Sequence, residues 1–95
     1  MDKVPNFDNE NDVLNNTEKF VLDRLLAKHD SEEGPSINIG ELMTLVDNTM
    51  SPLLDQAIEG LVAQRLIHSL EGENYQITQD GIDELENRKR MAIPL

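Results

Sequence analysis

An α+β domain is what this sequence predicts, and three observations carry the prediction. Apolar residues recur at helical spacing between Val13 and Leu26, and most regularly between Leu54 and Val62. Two short segments, Ser36 to Ile39 and Leu66 to Thr78, read as strands, the second interrupted by a turn. Clusters of Gly, Pro, Asn, Asp and Ser punctuate the chain between these elements. Ninety-five residues suffice for a single core and are too few for two.

Residues 1–11 are rich in Asn and Asp and show no period, so an acidic, disordered tail is expected there. The domain is expected over residues 12–90, with a short tail over 91–95. Asp12 and Thr17 are both suitable N-caps for the first helix. Val13, Leu14, Phe20, Val21, Leu22, Leu25 and Leu26 are its apolar positions. It should end near His29, because residues 30–36, DSEEGPS, contain Gly34 and Pro35 and nothing apolar.

Ile37 and Ile39 alternate with Ser36 and Asn38, which predicts a very short strand. Gly40 to Val46 reads as a short helix with Leu42, Leu45 and Val46 facing inward. Asp47-Asn48-Thr49 breaks it. Ser51 is then the expected N-cap of a third helix, and Pro52 suits its first position, where a missing N–H costs nothing. Leu54, Ala57, Ile58, Leu61 and Val62 follow at i, i+3, i+4, i+7 and i+8, one buried face.

That helix should end near Arg65. Leu66 to Leu70 is a strand, Glu71 to Asn74 a turn and Tyr75 to Thr78 the returning strand. Gly72 and Asn74 are the residues suited to the positive φ a hairpin needs. Thr78 can cap a last helix running to about Arg90, with Ile82 and Leu85 as its apolar contacts. Arg88, Lys89 and Arg90 fall in its final turn, where cations complement the helix dipole. Pro94 prevents any continuation.

Aromatic residues are scarce (Phe7, Phe20 and Tyr75), so the core must be aliphatic. With no cysteine there is neither a disulfide framework nor a thiolate metal site. No apolar run approaches the ~18 residues of a membrane span. The first residues lack the apolar stretch of a signal peptide, so a cytoplasmic location is expected. The formal charge of −11 is unevenly spread. From His29 to Asn87 there are thirteen acids and one Lys or Arg, namely Arg65. Such a field repels nucleic acid and attracts basic partners.

The order helix, short strand, helix, helix, hairpin, helix resembles the winged helix-turn-helix superfamily, of the small bacterial, phage or plasmid type, over Thr17 to Arg90. Ile39-Gly40-Glu41-Leu42 looks like the approach to that fold's second helix. Ser51 to Ile67 looks like its third helix running into the wing. Tyr75-Gln76-Ile77-Thr78-Gln79-Asp80-Gly81 is similar to the pattern that closes the wing and opens the final helix. The resemblance implies a winged-helix fold. For function it implies a class that includes DNA readers and protein-docking modules alike.

In DNA-binding members the exposed face of the third helix meets bases and phosphates. Here that face is expected to hold Ser51, Pro52, Asp55, Gln56, Glu59, Gly60, Ala63 and Gln64. Gln56 can pair with adenine, Ser51 can touch a phosphate, and Arg65 is the nearest base. Asp55 and Glu59, four apart on one face, oppose a phosphate backbone. The wing tip carries Glu71 and Glu73. A strong DNA binder makes ~6–10 phosphate contacts, far beyond what these residues offer. Gly60 weakens the helix by about 1 kcal/mol relative to Ala, a cost that either allows close approach of another backbone or is simply tolerated.

The expectation is therefore a protein-interaction module in transcription or DNA-transaction regulation. Asp55, Gln56, Glu59, Gln64, Glu71 and Glu73 would meet a basic protein partner. One alternative is a dimeric winged-helix DNA-binding regulator that uses Ser51, Gln56 and Arg65 and recruits Lys19, Arg24, Lys28 or Arg88 to Arg90. A second is a nucleic-acid mimic whose Asp55, Glu59, Glu71 and Glu73 stand in for phosphates. No enzyme is expected: His29 and His68 lie in unlike elements, and no calcium loop, P-loop, dinucleotide fingerprint or nucleophile elbow is present. No cofactor or metal is expected either. The chain is read as a monomer or as a homodimer through Val13, Leu14, Phe20 and Met91-Ala92-Ile93.

Overall fold

The computed structural model describes residues 5–31 and 34–91. Among these, four α-helices surround a three-stranded antiparallel sheet. The architecture is a mixed α+β fold, and its element order is compatible with a winged helix. No helix among the described residues is long and apolar enough to cross a membrane.

Helix α1 spans Pro5–His29. Val21, Leu22 and Leu25 are its fully buried positions. Thr17 is equally buried, and its hydroxyl donates to the Val13 carbonyl at 2.6 Å, so it sits inside the helix and caps nothing. Asp12 is also internal, because the helix begins at Pro5. Residues 5–11 thus continue α1, in contrast to the tail expected from their composition; residues 1–4 lie outside the described residues. Extending a helix already packed by its later turns adds one hydrogen bond per residue fixed, so a polar segment without apolar period can follow. Val13, Leu14 and Phe20 are half-buried along it.

Strand β1 is Ser36–Asn38 and helix α2 is Ile39–Leu45. Asn38 makes the switch between them: its side-chain oxygen accepts from the Gly40 N–H at 2.9 Å. Ile39, expected in the strand, is therefore already helical. Leu42 is the buried residue of α2, and Val46 packs partly buried against the core. Leu45 is 42% exposed, which corrects its expected inward position. A seven-residue helix has room for one inner row, and the chain leaves it in extended conformation at Val46.

A single 3-10 turn, Ser51–Leu53, precedes helix α3 at Leu54–Ala63. Ser51 is not its N-cap. The Asp47 carboxylate instead accepts from the Met50 N–H at 2.9 Å, while the Asp47 carbonyl accepts from Ser51 N–H at 2.9 Å. Asp is as good a local acceptor as Ser, and it lies one turn earlier. Leu54, Ala57, Ile58 and Leu61 are buried as their spacing predicts.

The end of α3 is a Schellman motif. Arg65 takes the left-handed position at φ 62°. Its N–H donates to the Val62 carbonyl, and that of Leu66 to the Leu61 carbonyl, both at 2.9 Å. Strand β2, Ile67–Leu70, then pairs with β3, Asn74–Ile77, and β3 pairs with β1, giving the order β1-β3-β2. The register sets Ile67 opposite Ile77 and Ile37 opposite Tyr75.

Positive φ falls on Gly72 (76°) and Glu73 (61°), not on Asn74. Asn74 is a strand residue whose amide donates to the Glu71 carbonyl at 2.7 Å. Asn38 donates to the Gly72 carbonyl at 2.9 Å, and the Ile39 N–H to the Glu73 carbonyl at 2.9 Å. The hairpin turn is thereby held against the start of α2.

Helix α4 is Gln79–Met91. Thr78 caps it as expected, accepting from the Gly81 N–H at 2.9 Å. Its hydroxyl proton lies between the Arg65 and Leu66 carbonyls, at 2.9 and 3.0 Å. A β-carbon on Gly81 would strike the Leu66 carbonyl oxygen and the Ile77 side chain, so α4 can start this close to the sheet only with glycine there. Leu85 is fully buried and Ile82 partly so. Residues 92–95 of the expected C-terminal tail lie outside the described residues.

Candidate functional site

The outer face of α3 and the hairpin turn carry the acids that the sequence singles out. Asp55, Gln56, Glu59 and Gln64 are exposed, as are Ser51, Arg65, Glu71 and Glu73. Burying Leu54, Ala57, Ile58 and Leu61 fixes this, because the remaining positions of a 3.6-residue period must face water.

An open groove of about 340 Å³ runs between α3 and the sheet, lined by Ile58, Glu59, Val62, Ala63, Ser69 and Tyr75. Ser69 and Tyr75 face each other across the β2–β3 pairing. The Tyr75 phenol is pushed above its ordinary value by burial, then by the carboxylates of Glu73 and Asp55. Tyr75 thus shares the groove with Glu59 and feels the charge of Glu73 and Asp55. None of Asp55, Glu59 and Glu73 forms an ion pair among the described residues.

Compared with protein-family models, curated proteins and solved structures, the chain finds no match.

Other predicted residues stand apart from the groove. Gln64 folds back onto its own helix, its side-chain amide donating to the Gly60 carbonyl at 3.0 Å. Gln56 and Glu71 are exposed, and neither side chain makes a hydrogen bond or ion pair among the described residues. Gly60 does not belong to the outer face. A β-carbon there would lie 3.1 Å from a carboxylate oxygen of Glu18, so its place is beneath α1. An alanine there would press on that buried carboxylate, which would have to give by a few tenths of an ångström.

That carboxylate organises the basic end of α4. Glu18 receives the Arg88 Nη1 at 2.8 Å, and Glu84 receives the Arg88 Nε at 2.7 Å. Burial opposes the Arg88 charge, but the hydrogen bonds to Glu84 and Glu18 outweigh it and raise its pKa above the ordinary value. Lys89 pairs with Asp23 of α1 at 3.1 Å. The Arg24 guanidinium lies over the Phe20 ring, 5.6 Å from its centroid. Arg65 is exposed but fixed in the left-handed turn that ends α3.

His29 and His68 are both exposed, in α1 and β2. Among the described residues no group of three or more His, Asp or Glu is placed to hold a metal ion. The arrangement around Tyr75 can attract, orient and desolvate a cationic side chain. Sequence reasoning assigns Tyr75 only to a strand and passes over Ser69. The available signal is the scarcity of aromatics: a lone Tyr, two residues from a core isoleucine in the same strand, has one end to place at a wet boundary.

Proposed function

We propose that this chain is a winged-helix protein that serves as a protein-interaction module in transcription or DNA-transaction regulation. Its contact surface is the α3 and hairpin face, and its partner is a basic protein. The observation that carries this reading is that Glu59 lines the Tyr75 groove and that Asp55, Glu59 and Glu73 are exposed with no cation paired to them among the described residues.

Several features support it. The element order helix, strand, helix, helix, hairpin, helix, with its three-stranded antiparallel sheet, is compatible with a winged helix. Uncompensated carboxylates around a shallow groove repel phosphate and draw in Lys or Arg. Two of the bases that a DNA-binding dimer would recruit, Arg88 and Lys89, are engaged with Glu18, Glu84 and Asp23. The role needs neither catalysis nor a cofactor, and the compartment it implies is the cytoplasm.

Titration against mixed-sequence duplex DNA at low salt tests the choice. No binding is expected, and robust binding would sink the proposal in favour of a direct DNA-binding regulator. Cross-linking in cells should then recover a basic protein. The double charge reversal Asp55→Lys with Glu59→Lys should weaken that complex about tenfold while leaving the fold intact. Unchanged affinity would mean that another face does the binding.

A further inference from the structure

We infer that the groove between α3 and the sheet seats a short amphipathic basic segment of the partner, one apolar side chain entering beside Val62 and Ala63 and one Lys or Arg lying at Tyr75. This rests on the protein-interaction reading above and adds the chemistry of the segment that is recognised.

The groove has a mixed lining. Ile58, Val62 and Ala63 line it with hydrocarbon, and no charged residue lies between Glu59 and Arg65. Glu59 brings a carboxylate into the same groove as the Tyr75 phenol, and Asp55 and Glu73 add to the negative field that Tyr75 feels. None of these three carboxylates is ion-paired among the described residues. Their mutual repulsion falls when a cation enters. The phenol oxygen supplies a further acceptor for a Lys or Arg N–H.

A purely basic strand would leave the apolar lining uncovered, and a purely apolar one would desolvate the carboxylate without pairing it. A segment with both characters satisfies both parts of the lining. A phosphate-bearing ligand meets repulsion at Tyr75. A second copy of the chain carries the same formal charge of −11, so its approach to this acidic face is opposed by like charge. The occupant is therefore a different protein with an exposed Lys- or Arg-flanked apolar side chain.

Amide NMR spectra of the full chain, recorded while adding synthetic peptides, test this. One peptide carries leucine flanked by lysines, a second replaces the leucine by serine, and a third replaces the lysines by glutamates. The Lys/Leu peptide should shift the amides of Ala63, Ser69 and Tyr75 and bind about tenfold more tightly than the Lys/Ser peptide, a difference of one buried apolar side chain. The Glu/Leu peptide should not bind. Ala63→Gln, which covers the apolar lining without changing charge, should remove the preference for leucine. Asp55→Lys with Glu59→Lys should abolish binding of the Lys/Leu peptide.

Equal affinity for the two lysine peptides, or shifts scattered over the whole acidic surface, would overturn the groove assignment. So would shifts that dilution reproduces without peptide, since those mark self-association. A cellular partner that is lost on Asp55 and Glu59 reversal yet indifferent to Ala63→Gln leaves the interaction reading standing and sinks only the groove. A partner indifferent to both sets of changes sinks both.

Discussion

Glu18 of α1 and Arg88 of α4 meet at 2.8 Å, with side chains 10% and 21% exposed, although they are seventy positions apart. The pair closes the long first helix onto the last one. Beneath it lies Gly60 of α3, the residue that leaves room for the carboxylate. Three helices therefore share one charged contact.

Breaking that contact from one side should cost more than removing it. Arg88→Ala strands the Glu18 carboxylate and is expected to lower stability by about 2 kcal/mol, below the ~3–5 typical of a fully buried pair because Arg88 keeps some access to water. Glu18→Leu with Arg88→Met should be less damaging than Arg88→Ala alone. Urea unfolding followed by circular dichroism measures both. A loss under about 0.5 kcal/mol for Arg88→Ala would place the pair among surface ion pairs.

Gly60 and Gly81, in α3 and α4, should respond differently to alanine. Gly81→Ala sets a methyl group against the Leu66 carbonyl oxygen and Ile77. The Leu66 carbonyl is itself fixed by bonds from the Thr78 N–H at 3.0 Å and the Thr78 hydroxyl at 3.0 Å, so relief by a backbone shift is costly. A loss of about 2–3 kcal/mol is expected. Gly60→Ala meets only the end of a side chain. The gain of about 1 kcal/mol in helix propensity should be largely cancelled by displacing Glu18, and should reappear in a Glu18→Ala background. Additive effects of Gly60→Ala and Glu18→Ala would show that the two residues do not interact.

Arg65 can be tested as a helix end rather than as a ligand. A left-handed conformation costs an L-residue about 1–2 kcal/mol, and glycine escapes that cost while losing some unfolded-state entropy. Arg65→Gly should therefore raise stability by roughly 0.5–1 kcal/mol, whereas Arg65→Val should lower it. The thermal midpoints of the two variants should move apart. If both fall equally, Arg65 contributes through its side chain and not through its backbone.

The stripe Leu54, Ala57, Ile58, Leu61 was legible because period alone determines which side of a regular helix is buried. Thr78 was legible for a similar reason: cap residue, helix and preceding strand are adjacent in sequence. Ser51 was misread because Asp47 offers the same kind of acceptor, and local chemistry does not say which of the two the backbone will reach. The start of α1 was hidden because apolar periodicity detects only the packed part of a helix, while its extension to Pro5 depends on propagation. Gly60 was half legible: its cost could be computed from propensity, but its occupant, Glu18, is held by Arg88 from the far end of the chain. At the candidate site, Asp55 and Glu59 follow from helical spacing. The charge that Glu73 brings to bear on Tyr75 was not legible, because it comes from a turn in which Glu73, not Asn74, adopts positive φ.

Tyr75 offers a direct reading of that charge. It is the only tyrosine, and the chain has no tryptophan, so tyrosinate absorbance reports this one group. Its midpoint in the folded protein should lie above the ordinary 10.0, first because of burial and then because of Glu73 and Asp55. Glu73→Gln and Asp55→Asn should each bring it down, and the double variant should retain the part due to burial. In urea the midpoint should return to about 10. The sign for stability follows from the raised value. The fold favours the neutral phenol, so this contribution is fully present below the unfolded midpoint and is lost as pH rises through the folded one. Wild-type stability should thus decline above about pH 10, and less steeply in the Glu73→Gln, Asp55→Asn double variant, where the folded and unfolded midpoints lie closer together. A midpoint unmoved by either substitution would show that Asp55 and Glu73 do not act at Tyr75, and would leave Glu59 as the only carboxylate supporting the proposed docking site.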